Sequence, residues 1–137
     1  MTPRAIAILM TFLGAALLAM SASAGFDGTK PMICSISDTG ECQEDGGCAE
    51  GDAGAIRAPS FVRVDVEGRK IQVLDEGRED EVTPVLGVER QAGRLILFGA
   101  EAGRGWSLVI SQESGEITVS ISGDGSTLAA FGDCIVM

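Results

Sequence analysis

Four glycines pace the second half of this chain: Gly93, Gly103, Gly115 and Gly125 stand 10, 12 and 10 residues apart. Each sits in a short polar turn: Gln91-Ala92-Gly93-Arg94, Glu101-Ala102-Gly103-Arg104, Glu113-Ser114-Gly115-Glu116 and Gly123-Asp124-Gly125-Ser126. Glycine takes positive φ at no steric cost, and tight hairpins need positive φ. The runs between the turns, Leu95 to Phe98, Trp106 to Ser111 and Ile117 to Ile121, with Leu128 to Phe131 after the last, are too short for helices of ordinary length. Ile117, Val119 and Ile121 alternate with Thr118 and Ser120, which gives one buried and one wet face.

The same alternation appears earlier. Val62, Val64 and Val66 interleave with Arg63, Asp65 and Glu67. Gly68-Arg69 turns the chain into a returning strand through Ile71 and Val73. Pro84 is placed at the start of the next strand, where a missing N–H costs least, and that strand runs through Val85, Leu86 and Val88 to Arg90. Leu95-Ile96-Leu97-Phe98 is apolar on both faces and reads as a central strand covered on both sides. A first short strand, Met32 to Ile36, follows Pro31, and residues 25–31 read as a flexible lead-in. The expected fold is all-β: about eight antiparallel strands in an up-and-down meander, forming a small closed or partly open barrel. The alternative is a two-sheet β-sandwich.

Residues 37–59 show no periodicity and mix six acids with glycines, which reads as a long acidic, Gly-rich loop. Ahead of everything stand residues 1–24. Arg4 precedes an apolar run from Ala5 to Met20, and Ser21-Ala22-Ser23-Ala24 supplies small residues for cleavage. That pattern is a secretory signal peptide, to be excluded from fold reasoning. The first cysteine, Cys34, lies too far beyond Ala24 for lipid attachment, and no basic cluster follows the apolar run to stop transfer. The expected organisation is therefore a signal peptide over 1–24 and one domain over 25–137, with no membrane attachment after cleavage.

Export decides how the cysteines read. Cys34, Cys42, Cys48 and Cys134 are an even set in a small exported domain, so disulfides are the expectation. The spacing has no C-x2-C pair and the chain has no histidine, which argues against zinc. Three pairings exist on paper. A barrel of this strand order lays the first strand beside the last, which favours Cys34–Cys134 and leaves Cys42–Cys48 to close the acidic loop.

Charge and composition exclude whole classes. Loss of residues 1–24 removes Arg4 and no acid, leaving 9 of the 10 basic residues against 20 acidic, or −11 rather than −10. Nucleic acid and anionic membrane surfaces repel such a protein. The absence of histidine removes the usual general base, the Ser-His-Asp and Cys-His arrangements and the commonest metal ligand. There is no G-x-S-x-G elbow. The paired carboxylates of the tip Glu76 to Glu81 leave carboxylate hydrolysis as a third-ranked class, set back because that chemistry needs one acid in an apolar pocket and the neighbours here are charged and flexible.

Two stretches are candidate sites. Asp38, Glu41, Glu44 and Asp45 in the acidic loop could offer oxygen ligands to Ca²⁺, without EF-hand spacing; the plainer reading is a solvated loop. Gly103-Arg104-Gly105-Trp106 holds the only tryptophan, on one strand face with Leu108 and Ile110. Trp106 reads first as a core anchor, and with Arg104 as a contact at a barrel mouth.

The segment Val88-Glu89-Arg90-Gln91-Ala92-Gly93-Arg94-Leu95-Ile96-Leu97, followed by Gly103-Arg104-Gly105-Trp106-Ser107-Leu108-Val109-Ile110-Ser111, resembles a group of small exported proteobacterial proteins of unknown function. The likeness runs from about Cys34 to Cys134 and includes the cysteine pattern. It implies bacterial origin and a periplasmic or secreted place, and it carries over no activity. In outline the expected barrel is similar to small periplasmic lysozyme inhibitors and lipocalin-type binders, which is a likeness of fold alone. The functional expectation is a non-enzymatic binding domain without cofactor, its partner a protein, which the charge suggests is cationic. The alternative is a carrier of a small apolar ligand, with the Leu95–Phe98 and Trp106–Ile110 strands lining a cavity.

Overall fold

A computed structural model describes residues 25–52 and 56–137. The expected signal peptide lies outside them. Ten strands make up the described part: β1 (Met32–Gln43), β2 (Gly47–Asp52), β3 (Phe61–Asp65), β4 (Lys70–Val73), β5 (Val82–Pro84), β6 (Gly87–Gln91), β7 (Arg94–Glu101), β8 (Arg104–Ser111), β9 (Glu116–Gly123) and β10 (Ser126–Val136). No α-helix occurs among the described residues.

All pairs are antiparallel, in the order β5-β4-β3-β1-β10-β9-β8-β7-β6, with β2 on the second half of β1. This is a meander whose first strand has been placed beside its last. The sheet curls until its ends face each other, since Val62 and Val64 of β3 share one core with Leu95 and Leu97 of β7. It does not close. The edge strands β5 and β6 follow each other in sequence yet form no ladder. Val85 and Leu86 cross the seam instead, tied by Val85 N–H to the Arg69 carbonyl and Leu86 N–H to the Phe98 carbonyl, both at 3.0 Å. The molecule is thus a curled half-barrel, the partly open form of the expected barrel, and neither a closed barrel nor a two-sheet sandwich. Pro84 ends β5 rather than opening a strand into Arg90, because the chain must leave one edge there to reach the other.

Alternation puts one residue in two inside. Trp106, Leu108 and Ile110 of β8 face inward beside Leu95 and Leu97 of β7 and Ile117 and Val119 of β9. Each fully buried Leu or Ile contributes about 1.5–3 kcal/mol of transfer free energy. The outer face has no second layer. Phe98 is 42% exposed there, so the strand Leu95–Phe98 is covered on one side only. Its ring is instead laid across Gly87 of the neighbouring strand, where a Cβ would collide with it. That local cover replaces the second sheet which the doubly apolar run led one to expect.

The acidic stretch is not a loop. β1 continues through Gln43 and returns as β2, so 38–52 is a hairpin with its turn at 44–46. Weak strand propensity is overridden by a partner: Asp38 to Gln43 pair residue by residue with Phe131 to Ser126 of β10. A bulge between Ile36 and Asp38 marks where β1 changes neighbour from β3 to β2. Opposite it stands Gly132, whose hydrogen is all that fits against the Ser35 carbonyl. The disulfides join directly opposed residues, Cys34 to Cys134 across β1–β10 and Cys42 to Cys48 across β1–β2.

Residues 25–30 are a plug rather than a lead-in. Phe26 packs on the core at the barrel end that carries Met32, Leu95 and Val136, with its ring against Gly115. Gly28 is buried against Val66. Arg90 donates to the Asp27 carbonyl from Nε at 3.3 Å and Nη2 at 3.1 Å. The Thr29 amide and hydroxyl, at 2.9 and 2.7 Å, hold the Asp27 carboxyl below the usual carboxylate range. One aromatic ring fixes a segment that is otherwise small, polar and charged.

Candidate functional site

The plug fills one end of the half-barrel; the other end is hollow. There a cleft of about 310 Å³ is walled by Ile36 of β1, Val73 of β4, Trp106 and Leu108 of β8, Val119 and Ile121 of β9, and Leu128 and Ala130 of β10. These are inward positions of the same strands that pack solidly around Leu95, Ile110 and Met32 lower down. Two small residues on the inward face belong to this end. Ala130 of β10 and Gly99 of β7 stand in rows where a larger residue would project.

Trp106 is the largest piece of its wall. Its cross-strand partner is Gly99, and the indole lies flat against that glycine: a Cβ there would meet Cζ2 at 2.7 Å. Glycine at 99 is therefore what allows the ring its position. The indole N–H is sealed from solvent and has no hydrogen-bond partner among the described residues. An unmet buried donor costs about 1–3 kcal/mol, a cost accepted here to hold the ring in place. Arg104, two residues earlier on the same face, is exposed and ion-paired from Nε to Asp124 Oδ2 at 3.2 Å. It stands outside the cleft, so the two contact candidates of the sequence divide. Leu95 and Leu97 also lie below the cleft, in the packed core.

The rim is polar and sits on the open seam. Arg78 grips Glu81 with two bonds of 2.8 Å, Nε to Oε1 and Nη2 to Oε2. That pair holds the Glu81 carboxyl below and the Arg78 guanidinium above their usual ranges, with the hydrogen bond as the main cause in each. Beside them Thr83 of β5 donates to Glu101 Oε2 of β7 at 2.8 Å. That bond bridges the two sides of the seam where no backbone ladder does. The charged tip is organised further by Asp75. Its oxygens accept the Ser60 N–H at 2.8 Å and the Phe61 N–H at 2.9 Å. Burial alone would raise the Asp75 carboxyl, but those bonds and Arg78 outweigh it and hold it low.

Trp106 stands out in the sequence as the single tryptophan, whereas the rim residues do not. Glu101 reads as part of a turn, and Arg78, Glu81 and Thr83 read as a solvated tip and a strand start. Only the missing β5–β6 ladder brings them together, and no local pattern announces it.

The Ca²⁺ candidates lie elsewhere. Asp38 and Glu41 are on β1, and Glu44 and Asp45 are at the turn beyond it. Asp38 accepts from the Ser37 hydroxyl at 2.9 Å, and Glu41 from the Gln43 amide at 3.4 Å. Glu41, Glu44 and Asp45 line a wide polar depression with Arg104 and Asp124. Among the described residues, no three His, Cys, Asp or Glu side chains converge as a metal site would require. A strand sends alternate carboxylates to opposite faces, and this hairpin disperses what a loop would gather.

Comparison with known proteins adds no relative: no family model, no curated protein and no solved structure matches the chain.

Proposed function

We propose that this is an exported, non-catalytic binding domain that holds a small apolar ligand in the open end of its half-barrel. The observation that carries the reading is the difference between the two ends. The same inward face is filled at the plugged end and leaves an apolar cleft of about 310 Å³ beside Trp106 at the other. Ligand sites run from about 300 to 1,000 Å³ and combine apolar walls with a few polar groups at the edge. Walls of Ile, Val and Leu with a rim of Arg78, Glu81, Thr83 and Glu101 have that character. Two disulfides fit an oxidising compartment. A periplasmic or secreted place, as in the exported bacterial group that the sequence resembles, belongs to the same proposal. The cleft favours an apolar ligand over a protein partner recruited by charge alone, since charge supplies attraction without shape.

Trp106 is the only tryptophan, so intrinsic fluorescence reports on the cleft directly. Medium-chain alcohols should shift its emission saturably. Ala130→Leu, which fills the cleft from β10, should abolish that shift while keeping the native circular dichroism spectrum. An emission that ignores the whole panel of apolar probes would overturn the reading.

A further inference from the structure

The rim carries one charge more than it neutralises. Arg78 and Glu81 satisfy each other through two hydrogen bonds of 2.8 Å. Glu101 has no cation within ion-pair distance among the described residues. Arg104 faces it across the β7–β8 register but is turned to Asp124. Thr83 occupies only Oε2, so Oε1 has no partner among the described residues. Glu101 is also on the inward face, two residues from Gly99 and its indole, so its carboxylate stands over the apolar cleft rather than on the outer surface.

From this juxtaposition, and resting on the binding function proposed above, we propose that the ligand is a cationic amphiphile: an apolar body in the cleft and an ammonium group on Glu101 at the seam. The cleft sets the size of the body. At the roughly 30 Å³ of a water-sized group, its volume of about 310 Å³ admits a chain of about ten carbons. Charge complementarity extends beyond the rim. The protein as a whole carries −10, which draws cations toward it and discourages fatty carboxylates. An ammonium donates hydrogen bonds and accepts none, and Glu101 Oε1 can only accept. Thr83 already fixes the carboxylate from its other oxygen, so little side-chain freedom remains to be lost on binding.

Three probes of equal chain length separate the claims: decylamine, decanol and decanoate, each below its aggregation limit, titrated into the full mature chain and read by Trp106 emission. Decylamine should bind about 1.4- to 5-fold more tightly than decanol, the range for a solvent-touched ion pair, and decanoate most weakly. Glu101→Gln keeps the Thr83 hydrogen bond and removes the charge. It should cancel the amine's advantage, so that decylamine and decanol bind this variant with equal affinity. Equal binding of amine and alcohol to the native protein overturns the cationic assignment and leaves the cleft's function standing. An amine preference that survives Glu101→Gln overturns the role of Glu101. Failure of all three probes overturns the binding function itself, and this inference with it.

Discussion

Removing the disulfides one at a time should separate two contributions that the fold assigns very unequally. Cys34–Cys134 closes a span of 100 residues and Cys42–Cys48 a span of 6. In the chain-entropy treatment, loops of those sizes restrict the unfolded chain by about 4.7 and about 2.2 kcal/mol. Packing widens the difference. Cys34 is 0% and Cys134 5% exposed, inside the core with Val62 and Ile117, whereas Cys42 and Cys48 are exposed at the hairpin tip. Replacing the inner pair by alanine removes buried sulfur and adds about 1–2 kcal/mol; the outer pair adds nothing of this kind. Cys34→Ala/Cys134→Ala should therefore cost about 4 kcal/mol more than Cys42→Ala/Cys48→Ala. With a urea slope of about 1.5 kcal/mol per molar, that separates the midpoints by 2–3 M. A long-bridge variant already unfolded without denaturant, beside a folded short-bridge variant, agrees with the argument. Midpoints within about 0.3 M of each other, measured by circular dichroism on both double variants, would refute it.

Two further outcomes follow from local geometry. Ala92 holds φ 49° in the β6–β7 turn next to Gly93 at 73°, so Ala92→Gly should relieve about 1 kcal/mol of left-handed strain and raise Tm by about 4 °C in a thermal melt; an unchanged or lower Tm rejects the strain. Asp75 has a carboxyl held below its unfolded value, so its stabilisation is complete above about pH 4 and is lost as pH falls through the lower folded value. Asp75→Asn should flatten that part of the acid limb in urea midpoints taken between about pH 5 and pH 2, and an acid limb identical to the native one would count against the Ser60 and Phe61 bonds as its source.

What the sequence made legible is what local pattern controls. Turns at Gly93, Gly103, Gly115 and Gly125, the inward row Trp106–Leu108–Ile110 and the adjacency of first and last strands are all read from spacing and alternation. Three features escaped because they depend on distant partners. Asp38 to Gln43 are strand because β10 runs along one side of them and β2 along the other. Residues 25–30 are ordered only because Phe26 finds the space above Gly115. The seam between β5 and β6 is a failure of neighbours to pair, and no residue type encodes an absent ladder. Glu101 inherits its place on the cleft from that seam, so it was invisible as well.

The middle of the sheet is built from the two ends of the domain. β1 lies against β10, joining Met32 to Val136 and Gln43 to Ser126. Contacts of such large sequence separation are the slow ones to form, since the loop between them must close first. The five strands β6 to β10 pair with sequence neighbours and can assemble locally. β1 can pair early with β2 and β3, but its other edge stays open until the eleven-residue strand β10 exists. A chain that emerges N-terminus first therefore waits with one edge of its first strand unpaired, and the two halves of the sheet are joined only when β10 arrives.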